Sequence, residues 1–272
     1  MAISIKDFIP APIKHYLKLA GTSYRKAYME AMRLNALPRY VSGSTQLFGK
    51  EFAFADANTF LYGKFEILDK EIYKFKSEID NPVIVDCGAN IGLSVLYFKL
   101  LYPNSKIIAF EPDEKIFEAL KKNTQNFKLA NIELFNEAVW IENGKLEFRK
   151  EGGFSGRLAL PGDNENIVSV KTKRLKDLLK NKIDFLKLDI EGAEYNVILD
   201  CKEELKNVSY LFIEYHSHKS KEQTLGEILE ILRQNNFRYF IDTAFVSKQP
   251  FFERKILDGM DLQLNIFAIQ NK

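Results

Sequence analysis

The chain predicts an α/β protein built on a mostly parallel, doubly wound sheet. Three observations carry this reading. Short apolar runs of strand length, at residues 83–87, 106–110, 183–188 and 208–214, alternate with segments of helical period. The first run, Val83-Ile84-Val85-Asp86-Cys87, breaks straight into Gly88-Ala89-Asn90-Ile91-Gly92 and then a helix. The last two strands leave no room for a crossover helix between them, so they pair antiparallel. Strands that alternate with helices form a parallel sheet covered on both faces.

Composition narrows the class. A chain of 272 residues suits one large α/β domain with an appendage. The division expected is 1–80 for a helical and β appendage and 81–272 for the main domain. Lys+Arg of 39 against Asp+Glu of 37 leaves a net charge of +2, which argues against a dedicated nucleic-acid binder. The 22 phenylalanines and 12 tyrosines are spread along the whole chain, so they read as core and pocket walls. Cys87 and Cys201 form no metal-ligand pattern. Residues 1–19 are interrupted by Lys6, Asp7, Pro10, Pro12 and Lys14, so no secretory leader is read there. No window reaches the length of a membrane span, and a cytoplasmic location is the default.

The elements follow in order. Residues 1–36 read as helical after Pro12, with Tyr24, Ala27, Tyr28, Ala31 and Met32 on one stripe. This segment is either a helix packed on the main domain or a basic amphipathic surface resting on a membrane or a partner. Residues 45–55 alternate as a strand, and 60–75 carry a helical stripe. Strand 83–87 leads to helix 91–101, and strand 106–110 to a helix capped by Asp113. Strand 131–135 is followed by a short strand near Trp140. Residues 144–172 form an insertion of β character. Strand 183–188 leads to a helix from Gly192 to Leu199, and strand 208–214 to a helix over 222–235. Strand 237–242 precedes a final alternating strand through Leu262, Leu264, Ile266 and Ala268.

The turn after the first strand is the most specific local feature. A dinucleotide site wants Gly-x-Gly-x-x-Gly, so that backbone can approach a pyrophosphate. Here Asn90 and Leu93 occupy the second and third glycine positions. Asn tolerates positive φ, so Asn90 can still hold a tight turn. This spacing favours S-adenosylmethionine (SAM) over a dinucleotide. Asp86 is placed to meet the cofactor's amino group, directly or through water. Gly88, Asn90 and Gly92 form the turn around its methionyl part. Glu111, at the end of the second strand, has two oxygens for two ribose hydroxyls. Asn136 and Glu137 follow the third strand, where the adenine edge would fall.

Val85-Asp86-Cys87-Gly88-Ala89-Asn90-Ile91-Gly92, Phe110-Glu111-Pro112 and Leu186-Lys187-Leu188-Asp189-Ile190-Glu191-Gly192-Ala193-Glu194 together resemble the FkbM-type methyltransferases over roughly residues 80–216. The resemblance implies a Rossmann-like class I methyltransferase: seven strands, mostly parallel, with one antiparallel. It implies methyl transfer from SAM to a hydroxyl of a sugar, polysaccharide or glycosylated small molecule, as in polysaccharide biosynthesis. The acceptor is not fixed by it. Methylation of nitrogen, a lipid or a protein stays open, as does a SAM-binding partner protein without catalysis. The resemblance implies no particular oligomeric state.

The chemistry is expected at the ends of the two central strands. Asp189 and Glu191 alternate, and so do Glu214 and His216, so four groups converge at one edge. Transfer from a sulfonium to a hydroxyl needs in-line alignment and a base, which contributes about 10²–10⁴-fold. His216 is the first choice for that base, because imidazole titrates near neutral pH, and Asp189 is the second. In another version Asp189, Glu191 and His216 hold a divalent ion. Glu191 and Glu194 are candidates for acceptor contacts, although Glu194 also suits the first turn of a helix. Gly152-Gly153-Phe154-Ser155-Gly156-Arg157 reads as a mobile loop over the acceptor, with Arg157 meeting an anionic group, or as a plain hairpin loop. His15 and His218 read as surface or capping residues. Phe251-Phe252 in a polar loop marks a pocket wall or an interface.

Overall fold

The computed structural model describes residues 24–150, 156–158 and 167–271. Helix α1 (Tyr24–Asn35) precedes an antiparallel hairpin, β1 (Gly43–Leu47) with β2 (Lys50–Phe54). The single strand expected over 45–55 is therefore two. Phe48 and Gly49 turn the chain at φ 51° and 77°. This two-residue turn matches hairpin twist, but Phe is not one of its usual residues and gives no signal. Helix α2 (Ala57–Gly63) is capped by Asp56, whose carboxylate accepts from the Thr59 N–H, and widens into a π-turn over Lys64–Asp69. It ends well short of residue 75. Tyr73 and Phe75 instead pack in non-helical chain against Phe98, Phe185 and Phe212.

The regular part follows. It runs β3 (Val83–Cys87), α3 (Leu93–Leu101), β4 (Lys106–Phe110), α4 (Glu114–Asn126), β5 (Ile132–Phe135), β6 (Ala138–Trp140), β7 (Gly144–Lys150), β8 (Gly156–Leu158), β9 (Ile167–Arg174), β10 (Ile183–Leu188), α5 (Glu194–Asp200), β11 (Val208–His218), α6 (Leu225–Gln234), β12 (Phe237–Val246) and β13 (Met260–Gln270). Seven strands form the main sheet in the order β12-β13-β11-β10-β3-β4-β5. Strand β13 inserts between β11 and β12 and runs antiparallel to both, while β11, β10, β3, β4 and β5 are parallel. This is the Rossmann-like α/β sheet with one reversed strand. The insertion is β as expected, but β6 joins it: β6-β9-β7-β8 make a separate four-stranded sheet.

Packing explains the order. Every residue of β10 is buried, as a central strand between two helical layers requires. Ile84, Leu186, Leu188 and Ile213 are fully buried, and each such side chain contributes about 1.5–3 kcal/mol. Asn123 of α4 clamps the N-terminal hairpin, bonding both backbone groups of Ala53 and the carbonyl of Ile91. Phe52, Phe54 and Phe60 thereby share one core with Leu96 and Phe98. Among the described residues, no helix is long and apolar enough to cross a membrane.

Connections leave β3 toward β4 on one side, while β10 flanks it on the other. The strand order reverses here, so a crevice opens beyond the carboxyl ends of β3, β4 and β10.

Candidate active site

The cleft at this point is lined by Gly88 and Asn90 from the first turn, Glu111 and Glu137 from the next two strand ends, and Asp189 and Glu191 from the loop after β10. Counting the space open to solvent it holds about 600 Å³, and Phe110, Val139 and Phe148 supply apolar wall.

The first turn is held from below. The N–H groups of Gly88 and Ala89 both donate to the Phe110 carbonyl, at 3.0 and 2.9 Å. Gly88 has φ 89°, and a Cβ there would sit 1.9 Å from the Asp189 carbonyl oxygen. Glycine is therefore demanded twice, by backbone conformation and by the neighbouring loop. Asn90 takes φ 48°, the left-handed role expected of it. Its amide oxygen accepts from the Ile91 N–H at 2.7 Å. Gly92, at φ 89°, begins α3.

Glu111 is only 5% exposed. One carboxylate oxygen accepts from the Asn90 N–H at 3.0 Å and the other from the Asp113 N–H at 2.9 Å. Burial pushes its pKa up to about 8; the Asp113 charge adds to this, while the two N–H groups and Lys187 oppose it. Glu137 lines the cleft, but Asn136 does not. The Asn136 amide donates to the carbonyls of Glu111 and Pro112 and so shapes the loop.

Asp86 differs from its expected place. It is fully buried and absent from the cleft lining. Ser94 Oγ donates to its Oδ2 at 2.5 Å, and Lys187 Nζ lies 3.4 Å from its Oδ1. The side chain points beneath the turn, into the layer that packs α3 on the sheet. Lys187, overlooked in the sequence, is 2% exposed and joins three parts of the site. Its ammonium donates to the Gly88 carbonyl at 2.8 Å and to Asp189 Oδ2 at 3.0 Å, besides pairing with Asp86. Burial alone would lower its pKa, yet Asp189, Tyr73 and Asp86 raise it well above the ordinary value, so it is a cation.

The motif after β10 is not strand. The strand ends at Leu188, and the loop turns through Glu191 at φ 55° and Gly192 at φ 90°. Asp189 and Glu191 still meet at the cleft, through loop geometry and not alternation. Glu194 shapes that loop. Its side chain is 1% exposed, and one oxygen takes the N–H groups of Ile190 and Gly192 at 3.2 and 3.0 Å and His216 Nδ1 at 3.0 Å. Glu194 thus shapes the loop from within the fold, and it is not among the residues that line the cleft.

His216 is buried among carboxylates. Nε2 lies 3.5 Å from Glu191 and 3.8 Å from Glu214. Burial works against its charge, but Glu191, Glu194 and Glu214 outweigh that and hold the pKa well above the imidazole value. A ring held as a cation is a poor general base, which weighs against the role expected of His216 and towards a positioning role. Glu214 shows the reverse: burial, with the charges of Asp189 and Glu191, pushes it up to about 8. Gln263, opposite His216 across the β11–β13 pair, donates to Glu214 and approaches His216 Nε2 at 3.4 Å. Nothing in the final strand's apolar alternation singled it out. Tyr62 of α2 also borders this cluster. Burial and the charges of Glu66, Glu214 and Asp189 push its hydroxyl up to about 12, although the residue is 55% exposed.

Asp189, Glu214 and His216 each offer a ligand atom, and these lie within 4.8 Å of one another. The set expected for an ion thus exchanges Glu191 for Glu214. His218 is buried beside Gly192, not at the surface. Arg157 belongs to β8, but its side chain, like residues 151–155, 1–23 and His15, lies outside the described residues.

The lining tests the cofactor directly. Four carboxylates face the cleft and, among the described residues, no lysine or arginine does. A pyrophosphate would meet like charge there, whereas a sulfonium and an ammonium would meet opposite charge. The residues fit SAM.

Comparison with known proteins agrees. A family model described as the methyltransferase FkbM domain matches residues 86–239. "Methyltransferase sdnD" of Sordaria araneosa is 30% identical over 175 residues, 51% of this chain and 68% of that protein. "2-O-methyltransferase NoeI" of Sinorhizobium fredii is 29% identical over 178 residues, 57% and 72% of the two. A solved methyltransferase FkbM from Methylobacillus flagellatus aligns with TM-score 0.45 at 17% identity, over 69% of this chain and 44% of that one, so the chain spans less than half of its length.

Proposed function

The chain belongs to the methyltransferase FkbM family and is a SAM-dependent methyltransferase, and from that premise we propose that it methylates a hydroxyl of a sugar, polysaccharide or glycosylated small molecule. The observation that supports the cofactor half is the set of four carboxylates in the cleft lining, with no lysine or arginine beside them among the described residues. The hydroxyl half is supported by the 2-O-methyltransferase among the relatives, and by the absence of an Asn/Asp-Pro-Pro-Tyr/Phe tetrapeptide suited to exocyclic amines of bases.

Bound SAM supplies an electrophilic methyl group; everything else falls to the chain. Glu111 accepts from the ribose hydroxyls and Glu137 meets the adenine side. The Gly88–Asn90 backbone receives the methionyl part, while Asp86 acts from beneath through Lys187 and Ser94. Asp189 stands between cofactor and acceptor, tied to Lys187, and with Glu191 binds the acceptor. Glu214 takes the hydroxyl proton, since a base works best with a pKa near the working pH. His216 orients Glu214 as its charged neighbour. Tyr62 offers an exposed ring as a wall for the acceptor.

A screen of sugars, sugar nucleotides and polysaccharide fragments with labelled SAM tests the proposal. Turnover of a hydroxyl acceptor is the expected result. Turnover confined to amines, or SAM binding with no acceptor methylated, would sink it. Glu214→Gln should lower turnover on the order of 10²-fold or more with SAM affinity kept. A second reading has Asp189, Glu214 and His216 hold a divalent ion that acidifies the hydroxyl, favoured by their 4.8 Å clustering. Activity that survives exhaustive dialysis against a chelator would reject it.

A further inference from the structure

The loop between β12 and β13 presents exposed apolar side chains that the transfer reaction leaves unused. Strand β12 runs parallel to β11, because both are antiparallel to β13. Its end, the loop at 247–259 and the start of β13 therefore lie on the same sheet edge as the acid cluster. The loop touches that cluster's rim: the Lys219 N–H donates to the Gly259 carbonyl at 3.0 Å, one residue past His218.

Within this loop the side chains are turned outward. Phe251 is fully exposed and Phe252 is 89% exposed, with Ile256 and Leu257 exposed beside them. Two adjacent phenylalanines in water are costly unless something covers them. The presentation is ordered. The N–H groups of Phe252 and Glu253 both donate to the Gln249 carbonyl, at 2.9 and 2.8 Å, closing a turn at the tip. At the base, the Lys255 N–H donates to Ser247 Oγ at 2.7 Å, and Leu257 pairs with Met260. The loop carries Lys248, Arg254 and Lys255 against Glu253 and Asp258, all exposed; the three cations stand close to the aromatic tip in the chain, and Asp258 lies at the loop's base beside Gly259.

We propose that residues 247–259 dock the active-site edge onto an anionic lipid surface. The two rings enter the acyl boundary, and the three cations meet lipid phosphates. A second copy of the chain is a poorer occupant, because a two-fold contact through this tip would set the same cations against each other. The docking would bring the acid cluster to acceptors carried in or on a bilayer, and it stands independently of which hydroxyl is methylated.

Sedimentation of the full chain with phosphatidylcholine vesicles, with and without phosphatidylglycerol, tests this. Binding should require the anionic lipid and fall as salt is added. The double variant Phe251→Ser, Phe252→Ser should lose about tenfold or more of that partition. Its SAM affinity and circular dichroism should stay unchanged, since neither ring touches the core or the cleft. Phe251→Trp should show a blue-shifted emission only with anionic vesicles. Failure to sediment, or full sedimentation by the double-serine variant, would overturn the proposal; the latter would assign any binding to another segment. A dimer abolished by the double variant, without vesicle binding, would also overturn it.

Discussion

Glu111 offers the sharpest test, because its burial and its proposed ligand pull in opposite directions. In the free protein its pKa stands at about 8, raised chiefly by burial from an ordinary value of 4.5. Ribose hydroxyls are donors, so they favour the carboxylate, and SAM binding must draw a proton off Glu111 at lower pH. Each pH unit below that value then costs about 1.36 kcal/mol, so about two units below it the penalty is roughly 2.7 kcal/mol, near a hundredfold in Kd. Calorimetry across the range from about pH 6 to 9 should show affinity rising and levelling off above about 8. Glu111→Gln cannot ionise. Its Kd should be flat with pH and weaker than the wild-type plateau by about 1–3 kcal/mol. The same shift has a folding counterpart of opposite sign. A carboxyl whose folded pKa is raised gives most stability below its ordinary value, and that stability is lost as pH climbs toward about 8. A wild-type Kd that does not vary over this range, or a Gln variant that keeps the wild-type slope, would refute the placement of the ribose.

Two substitutions test the frame around the cleft. Gly88→Ala places a Cβ 1.9 Å from the Asp189 carbonyl oxygen at a φ of 89°, so SAM binding should be lost, with about 1–3 kcal/mol of stability; wild-type affinity by calorimetry would contradict the packing. Lys187→Met leaves Asp86 and Asp189 without their shared cation, and urea unfolding should show a loss of about 3–5 kcal/mol; a loss below about 1 kcal/mol would mean that the lysine is not their counter-charge.

Much of the frame around the cleft was legible in the sequence because its signals are local. Strands 83–87 and 183–188 sit where their continuous apolar runs put them, and Asn90 took the left-handed conformation that its short amide tolerates. The antiparallel tail followed from loop length alone. Long-range partnerships were not legible. Asp86 read as a cofactor ligand because nothing in its neighbourhood announces Lys187, a hundred and one residues on, as its partner. Glu194 read as a dipole-favoured acid, whereas its loop folds back to place two N–H groups and an imidazole on one oxygen. His216 sits among three carboxylates from other positions, a grouping that nothing in its free-solution chemistry announces. Gln263 enters only through strand register. The hairpin at 43–54 was hidden by a phenylalanine in a turn where asparagine would have spoken.

The contact between Gly88 and the Asp189 carbonyl has a consequence for how such an enzyme diversifies. Donor seat and acid loop are keyed like two halves of a hinge pin, so neither can be remodelled without the other. New acceptors are best sought by varying Tyr62 and Gln263, which border the acids from α2 and β13, while the keyed pair is left untouched.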